Sequence, residues 1–159
     1  MIFVAVGTQM PFDRLIRAID SWADSRGEND VFAQCGDTGY TAKRIRMQSF
    51  LSPQEFTRCV ESADLIVSHA GMGTIITALE KGKPILVMPR RACLGEHRNE
   101  HQLGTARNFA PSNSIEVAFD EQELIAKMDR LVCGRESRSP ISCDANPSLI
   151  KTIQDFIFQ

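Results

Sequence analysis

Short apolar runs separated by longer amphipathic stretches recur along almost the whole chain, and this alternation constrains the fold more than any other feature. Runs of about five apolar residues suit buried strands, and strands alternating with helical stretches predict a parallel sheet covered by helices. The expected strands are Ile2 to Val6, Val31 to Cys35, Ile45 to Phe50, Asp64 to Ser68, Ile85 to Met88 and Ile115 to Phe119. Between them, Phe12, Leu15, Ile16 and Ile19 recur at helical spacing up to about Ala23. Ser52-Pro53-Gln54-Glu55 supplies an N-cap residue, proline at the first helical position and a nearby acid, opening a helix to about Ser62. Helix resumes near Thr74 and stops at Gly82; two more helices are expected, from Asn99 to Phe109 and from Asp120 to about Val132. The fold class is α/β, with a mostly parallel sheet of about six strands flanked by helices.

A chain of 159 residues is about one domain long. Residues 1–133 form that domain; residues 134–159 are expected to add a Ser- and Pro-rich loop and a last helix. Leu149, Ile150, Ile153, Phe156 and Ile157 share one face of that helix, which packs on the domain or docks a partner. The 18 Lys plus Arg nearly balance the 20 Asp plus Glu, so no global field favours nucleic acid or an anionic membrane. No uncharged span approaches the roughly 18 residues of a membrane helix. The opening run Ile2 to Val6 is too short for a signal-peptide core and lacks a basic flank. The five cysteines are scattered and never form a C-x-x-C pair, which fits reduced thiols and a cytoplasmic location.

The strongest local signal runs from Asp64 to Pro89, where a strand, the small-residue loop His69-Ala70-Gly71-Met72-Gly73, a helix start and a second strand form one βαβ unit. Such a loop suits phosphate. Glycines let the backbone approach a ligand, free N–H groups at the helix start point at it, and the dipole favours negative charge. Thr74 and His69 can add hydrogen bonds; a tight strand-to-helix turn without a ligand is the competing reading. A dinucleotide site is disfavoured because Ile76 stands at the third glycine position, and the next strand ends in Pro89-Arg90-Arg91 where a ribose-binding acid is expected. His97-Arg98-Asn99-Glu100-His101 matches H-x-x-E-H, which in some metalloproteases places two zinc ligands and a base on one helix. No third ligand stands out, and a polar helix start lining the glycine-loop cleft is the alternative.

Taken together, the stretch resembles the nucleotide-sugar signature of GT-B glycosyltransferases, specifically the C-terminal domain of glycosyltransferase family 28. His69, Gly71, Gly73-Thr74, Gly82, Pro84 and Pro89 meet the pattern in register, and Glu100-His101-Gln102 falls where an acid-Gln or His-Gln pair closes it. Gly7-Thr8-Gln9 looks like the first loop of the same domain, so the resemblance extends from Met1 to about Val132. It is nearest to the small stand-alone catalytic subunits of two-part transferases, including bacterial exopolysaccharide enzymes and the one adding the second GlcNAc to dolichol-linked oligosaccharide. The implied fold is a single Rossmann-like domain, the C-terminal half of a GT-B enzyme.

By that resemblance His69, Gly71, Gly73 and Thr74 hold the diphosphate of a UDP-sugar, with Thr8 and Gln9 facing it. Glu100, His101 and Gln102 complete the donor site, the last two at the sugar hydroxyls. Many relatives place an acid at the ribose where this chain has Thr77. The implied reaction is inverting transfer from UDP-sugar to a lipid-linked sugar, with His69 stabilising the leaving group. No cofactor or metal is expected, and no Asp-x-Asp occurs. Arg90, Arg91 and Arg98 can add positive potential, although a solvated loop is the competing reading for at least two of them. The acceptor-binding half and the catalytic base are assigned to a membrane-anchored partner subunit, which would hold this chain at the inner membrane. The rival functions are a non-catalytic nucleotide-sugar-binding module and a zinc hydrolase using His97, Glu100 and His101.

Overall fold

Six strands and five α-helices, with a short 3-10 turn at Ala92–Leu94, make up the computed structural model, which describes residues 1–111 and 115–133. The strands are β1 (Ile2–Ala5), β2 (Val31–Gln34), β3 (Arg46–Gln48), β4 (Leu65–His69), β5 (Ile85–Met88) and β6 (Glu116–Val117). The helices are α1 (Asp13–Arg26), α2 (Pro53–Ser62), α3 (Met72–Glu80), α4 (His101–Phe109) and α5 (Glu121–Cys133). The expected loop and last helix after residue 133 lie outside the described residues.

The strands form one sheet in the order β3-β2-β1-β4-β5-β6, and every pairing is parallel. Val4 at the centre pairs with Ala33 on one side and Val67 on the other. Both faces of the sheet are covered, so all four residues of β1 and all four of β5 are buried; this is why these strands read as unbroken apolar runs. Alternate residues serve two cores. Ile2, Val4, Val67 and Leu86 pack with Leu15, Ile16 and Ile19 of α1 and with Leu124 and Met128 of α5. Phe3, Ala5, Ile66 and Val87 pack with Val60 of α2, Ile75 and Ala78 of α3, and Ala106 and Phe109 of α4.

Local sequence explains the element ends. Ser52 and Glu55 form a reciprocal capping box, with Glu55 N–H donating to Ser52 Oγ at 3.3 Å and Ser52 N–H donating to Glu55 Oε2 at 2.7 Å. Gly82, at φ +61°, ends α3 and lets Lys83 N–H reach the Ala78 carbonyl at 2.8 Å. The turn-rich segment from Gly36 to Tyr40 and the lead into β3 are tied to buried Asp20. Its carboxylate accepts hydrogen bonds from the Tyr40 hydroxyl and the Lys43, Arg44 and Ile45 N–H groups. Burial pushes this carboxyl up, but those bonds outweigh it and leave its pKa below the ordinary value.

Two helix starts differ from the sequence expectation. Helix α3 begins at Met72 because Gly71 takes extended geometry (φ −90°, ψ 133°), which moves Gly73 and Thr74 into the first turn. Helix α4 begins at His101, two residues later than expected, because Asn99 Oδ1 accepts from His101 N–H at 3.2 Å and draws the preceding residues into local turns.

From β1 the chain adds β2 and β3 on one side, then returns to place β4, β5 and β6 on the other. The loops leaving the carboxyl ends of β1 and β4 therefore diverge and leave a crevice between them. Ligands of open parallel sheets bind at this topological switch point.

Candidate functional site: a cleft at the switch point

A cleft of about 540 Å³ occupies this position. Gly7, Thr8 and Gln9 of the β1–α1 loop line it, opposite His69 and the turn from Gly71 to Thr74. Arg90, His97, His101, Gln102 and Thr105 close it from the β5–α4 side. Thr8, Gln9, His69, Gly71, Gly73, Thr74, His101 and Gln102, scattered in sequence, are thus brought to one cavity.

The floor of the cleft is the open end of α3. Gly71 as N-cap offers no side chain to the first-turn donors, and Ile75 N–H is the first to bond within the helix, to the Gly71 carbonyl at 3.3 Å. The Met72, Gly73 and Thr74 N–H groups sit at the positive end of the dipole, an arrangement suited to an anion. The two glycines differ in role. A Cβ on Gly73 would meet nothing within 4 Å, whereas a Cβ on Gly71 would fall 2.0 Å from His69 Cε1. Gly73 leaves space open to a ligand; Gly71 makes room for the imidazole.

His69 is seated between two loops. Its Nε2 lies 2.7 Å from where a Cβ on Gly7 would stand, so both the first loop and the glycine loop require glycine against this ring. Gly7 is itself held by Gln34: its N–H donates to Gln34 Oε1 at 3.2 Å, and its carbonyl accepts from Gln34 Nε2 at 3.1 Å. On its other edge, His69 Nδ1 lies 3.2 Å from Gln102 Nε2. Burial, reinforced by the positive charge of Arg90, pushes the imidazole pKa down to about 4. At neutral pH His69 is therefore uncharged and offers a hydrogen bond rather than a cation.

The positive charge lies deeper. Arg90 is only 2% exposed, and its guanidinium donates to four backbone carbonyls: Val6 at 2.6 Å, Met10 at 2.5 Å, Pro11 at 2.7 Å and Glu96 at 3.0 Å. It also lies over the Phe12 ring, 4.8 Å from the centroid. Arg90 thus ties the β1–α1 loop to the end of β5. Burial lowers its pKa to about 10, with Glu96 opposing the shift, so it stays protonated at neutral pH.

Glu96 organises the next layer. It pairs with Arg14 through bonds of 2.7 and 2.9 Å and accepts from Arg91 N–H at 2.9 Å. Arg91 donates to the Phe119 carbonyl at 2.6 Å, and Arg98 is exposed outside the cleft lining. Gln34 and Glu96 were not among the expected site residues, and Arg90 was expected only as a source of positive potential. A polar residue closing the buried strand Val31–Gln34 was the available signal for Gln34; long-range partners left none for Glu96 or for the clamp that Arg90 forms.

Two sequence expectations change, for Glu100 and for the His97-Glu100-His101 set, and the position of Thr77 is located. Glu100 does not line the cleft: its Oε1 accepts from Ala92 N–H at 3.0 Å, and it borders a neighbouring hollow with Arg91, Cys93 and Arg107. Thr77 does not line it either, because its hydroxyl donates to the Gly73 carbonyl one turn back at 2.8 Å. His97, Glu100 and His101 do not share a helix face, since α4 begins only at His101. Among the described residues no three His, Cys, Asp or Glu side chains converge as metal ligands, which removes the structural basis of the zinc-hydrolase reading.

The family profile described as glycosyltransferase family 28 C-terminal domain matches residues 1–153. The chain belongs to that family. Within it, a human protein named UDP-N-acetylglucosamine transferase subunit ALG13 is 30% identical over 118 residues, covering 68% of this chain and 10% of its own length. The chain thus spans about a tenth of the mammalian relatives it matches. An NMR solution structure of ALG13 superposes with a TM-score of 0.64 at 18% identity, covering 99% of this chain and 96% of that one. Os79 from O. sativa, solved in complex with UDP, gives 0.61 at 15% identity, covering 85% of this chain and 32% of that one. These neighbours share the α/β fold of the family domain.

Proposed function

We propose that this domain is the donor-binding half of an inverting, UDP-sugar-dependent glycosyltransferase that acts on a lipid-linked sugar in polysaccharide synthesis. The carrying observation is the junction of the uncapped first turn of α3 with His69 and the β1–α1 loop at the sheet's switch point. Backbone N–H groups there favour a diphosphate, and the human relative's name, a UDP-N-acetylglucosamine transferase subunit, agrees with a UDP-sugar as its source.

In the reaction, an acceptor hydroxyl oxygen bonds to the anomeric carbon from the face opposite the diphosphate. The carbon–oxygen bond to UDP breaks and its electron pair leaves with the phosphate. Charge developing there is met by the α3 N–H groups, the helix dipole and a hydrogen bond from neutral His69, without a divalent cation. His101 stands at the cleft for the sugar hydroxyls. The hydroxyl proton goes to a base on a membrane-anchored partner that also presents the acceptor; the described lining of the cleft holds no carboxylate. Among the described residues no helix is long and apolar enough to cross a membrane, so in this proposal the partner holds the domain at the membrane's cytoplasmic face.

Calorimetry with UDP, with and without a chelator, tests the donor site. The expected result is binding that chelation leaves unchanged. Absence of UDP binding would sink the donor assignment, and loss of binding on chelation would replace the metal-free account.

A further inference from the structure

Gln102 occupies a position that the sequence pattern links to the donor sugar, yet both ends of its amide are engaged inside the protein. Its Oε1 accepts from the backbone N–H of Arg90 at 3.2 Å, and its Nε2 lies 3.2 Å from His69 Nδ1. The residue is 8% exposed, so these partners are not readily exchanged for water.

The backbone contact decides how the amide is oriented. A peptide N–H can only donate, so the atom facing Arg90 N is the amide oxygen and the NH2 group faces His69. Since that group donates, Nδ1 must carry the accepting lone pair. The ring proton of the neutral imidazole then resides on Nε2, the nitrogen seated against Gly7, where a Cβ would stand 2.7 Å away, on a ring that lines the cleft.

We propose that Gln102 is a positioning residue, which reads the fixed backbone of Arg90 and holds His69 as the Nε2–H tautomer, a permanent neutral donor to an oxyanion in the cleft. With Nδ1 accepting and Nε2 protonated, the ring has no free lone pair and is not the base for the acceptor. The charged and titratable groups around it are consistent with this state: Arg90 at the end of β5 and His97 on the following loop disfavour a further positive charge, and the first turn of α3 contains no acid. His101 of α4 lines the same cleft. The tautomer rests on internal geometry alone; its use as a donor to diphosphate rests on the function proposed above.

Nitrogen-15 NMR of the histidine rings, read without ligand, tests the tautomer on the wild-type chain. The expected spectrum has a bare Nδ1 and a protonated Nε2 for His69, assigned by its loss in His69→Gln and unchanged from pH 8 to 6. A protonated Nδ1, or an imidazolium in that range, overturns the proposal whether or not UDP binds.

The variant Gln102→Glu tests the cause. A carboxylate still accepts from Arg90 N–H but can only accept from His69, so the proton should move to Nδ1 and the ring should become protonated as pH falls. UDP affinity relative to wild type at the same pH should be reduced roughly tenfold at pH 8, the loss shrinking toward pH 6 as the imidazolium forms. Taking the ratio cancels the ionisation of UDP itself. A folded Gln102→Glu protein with the wild-type ring spectrum would assign the tautomer to something other than Gln102. Should that variant not fold, Gln102→Met, which removes the donor without adding charge, is expected to give mixed tautomers; the single wild-type tautomer would overturn the proposal. Failure of the wild type to bind UDP would instead count against the donor site, leaving the ring state as measured.

Discussion

The loop after β4 and the loop after β5 border one cleft and are built by opposite means. The first is shaped by missing side chains: Gly71 yields space to His69, Gly73 leaves the helix end bare, and backbone N–H groups supply the polarity. The second is shaped by side chains that reach far along the sequence. Arg90 collects carbonyls from the β1–α1 loop, and Glu96 pairs with Arg14. The contrast shows a division of labour. The glycine loop opens bare backbone N–H groups onto the cleft, which the proposed donor site uses for the diphosphate, and the charged loop fixes the shape of the cleft wall through its own internal bonds.

The largest effect should come from breaking the second loop. Arg90→Met leaves four carbonyls without their shared donor and should cost about 3–5 kcal/mol in urea unfolding, the range for removing one partner of a buried charged network. A loss under about 1 kcal/mol would mean that the wall holds its shape without the guanidinium.

Acid should loosen the His69 region next. The folded-state pKa of about 4 lies below the ordinary 6.5, so between these values the unfolded chain binds more protons and stability rises with pH. The contribution is complete above 6.5 and is lost as pH falls toward 4, at most on the order of 3 kcal/mol. Asp20, with its lowered pKa, withdraws stability only below its own ordinary value of 3.8, so the two windows separate. Denaturant midpoints across this range should slope in the wild type and flatten in His69→Gln; equal slopes would place the titration elsewhere.

The two glycines sharpen the comparison within the first loop. Gly71→Ala drives a methyl into the His69 ring and should destabilise by about 1–3 kcal/mol, the usual range for overpacking. Gly73→Ala meets no protein atom and should stabilise by roughly 0.4–1 kcal/mol through the unfolded chain, while weakening UDP. Calorimetry beside thermal melts distinguishes them. If Gly73→Ala binds UDP as the wild type does, the diphosphate does not lie over that backbone.

Sequence reading was most successful where structure is local. Apolar runs located the buried strands β1, β4 and β5, because strands covered on both faces demand them, whereas the edge strand β3 is a polar, largely exposed Arg46-Met47-Gln48; Ser52-Pro53-Gln54-Glu55 opened α2 at its observed residue through a capping box contained in four positions. The glycine loop was legible for the same reason. The start of α4 was less so, since Asn99 stops the helix through a side-chain bond that composition does not reveal.

What the sequence determined by itself was the α/β architecture, the family and the glycine loop that lines the switch-point cleft, all of which depend on short-range periodicity and a fixed spacing of small residues. Tertiary structure alone decided that Arg90 is a buried clamp rather than a surface cation, that Glu100 turns away from the cleft, and that His69 is neutral. Those outcomes depend on contacts between residues far apart in sequence, such as Arg90 and Val6, 84 positions away. Burial and the partners found there set the charge state and direction of a side chain, and neither is encoded in its immediate neighbours.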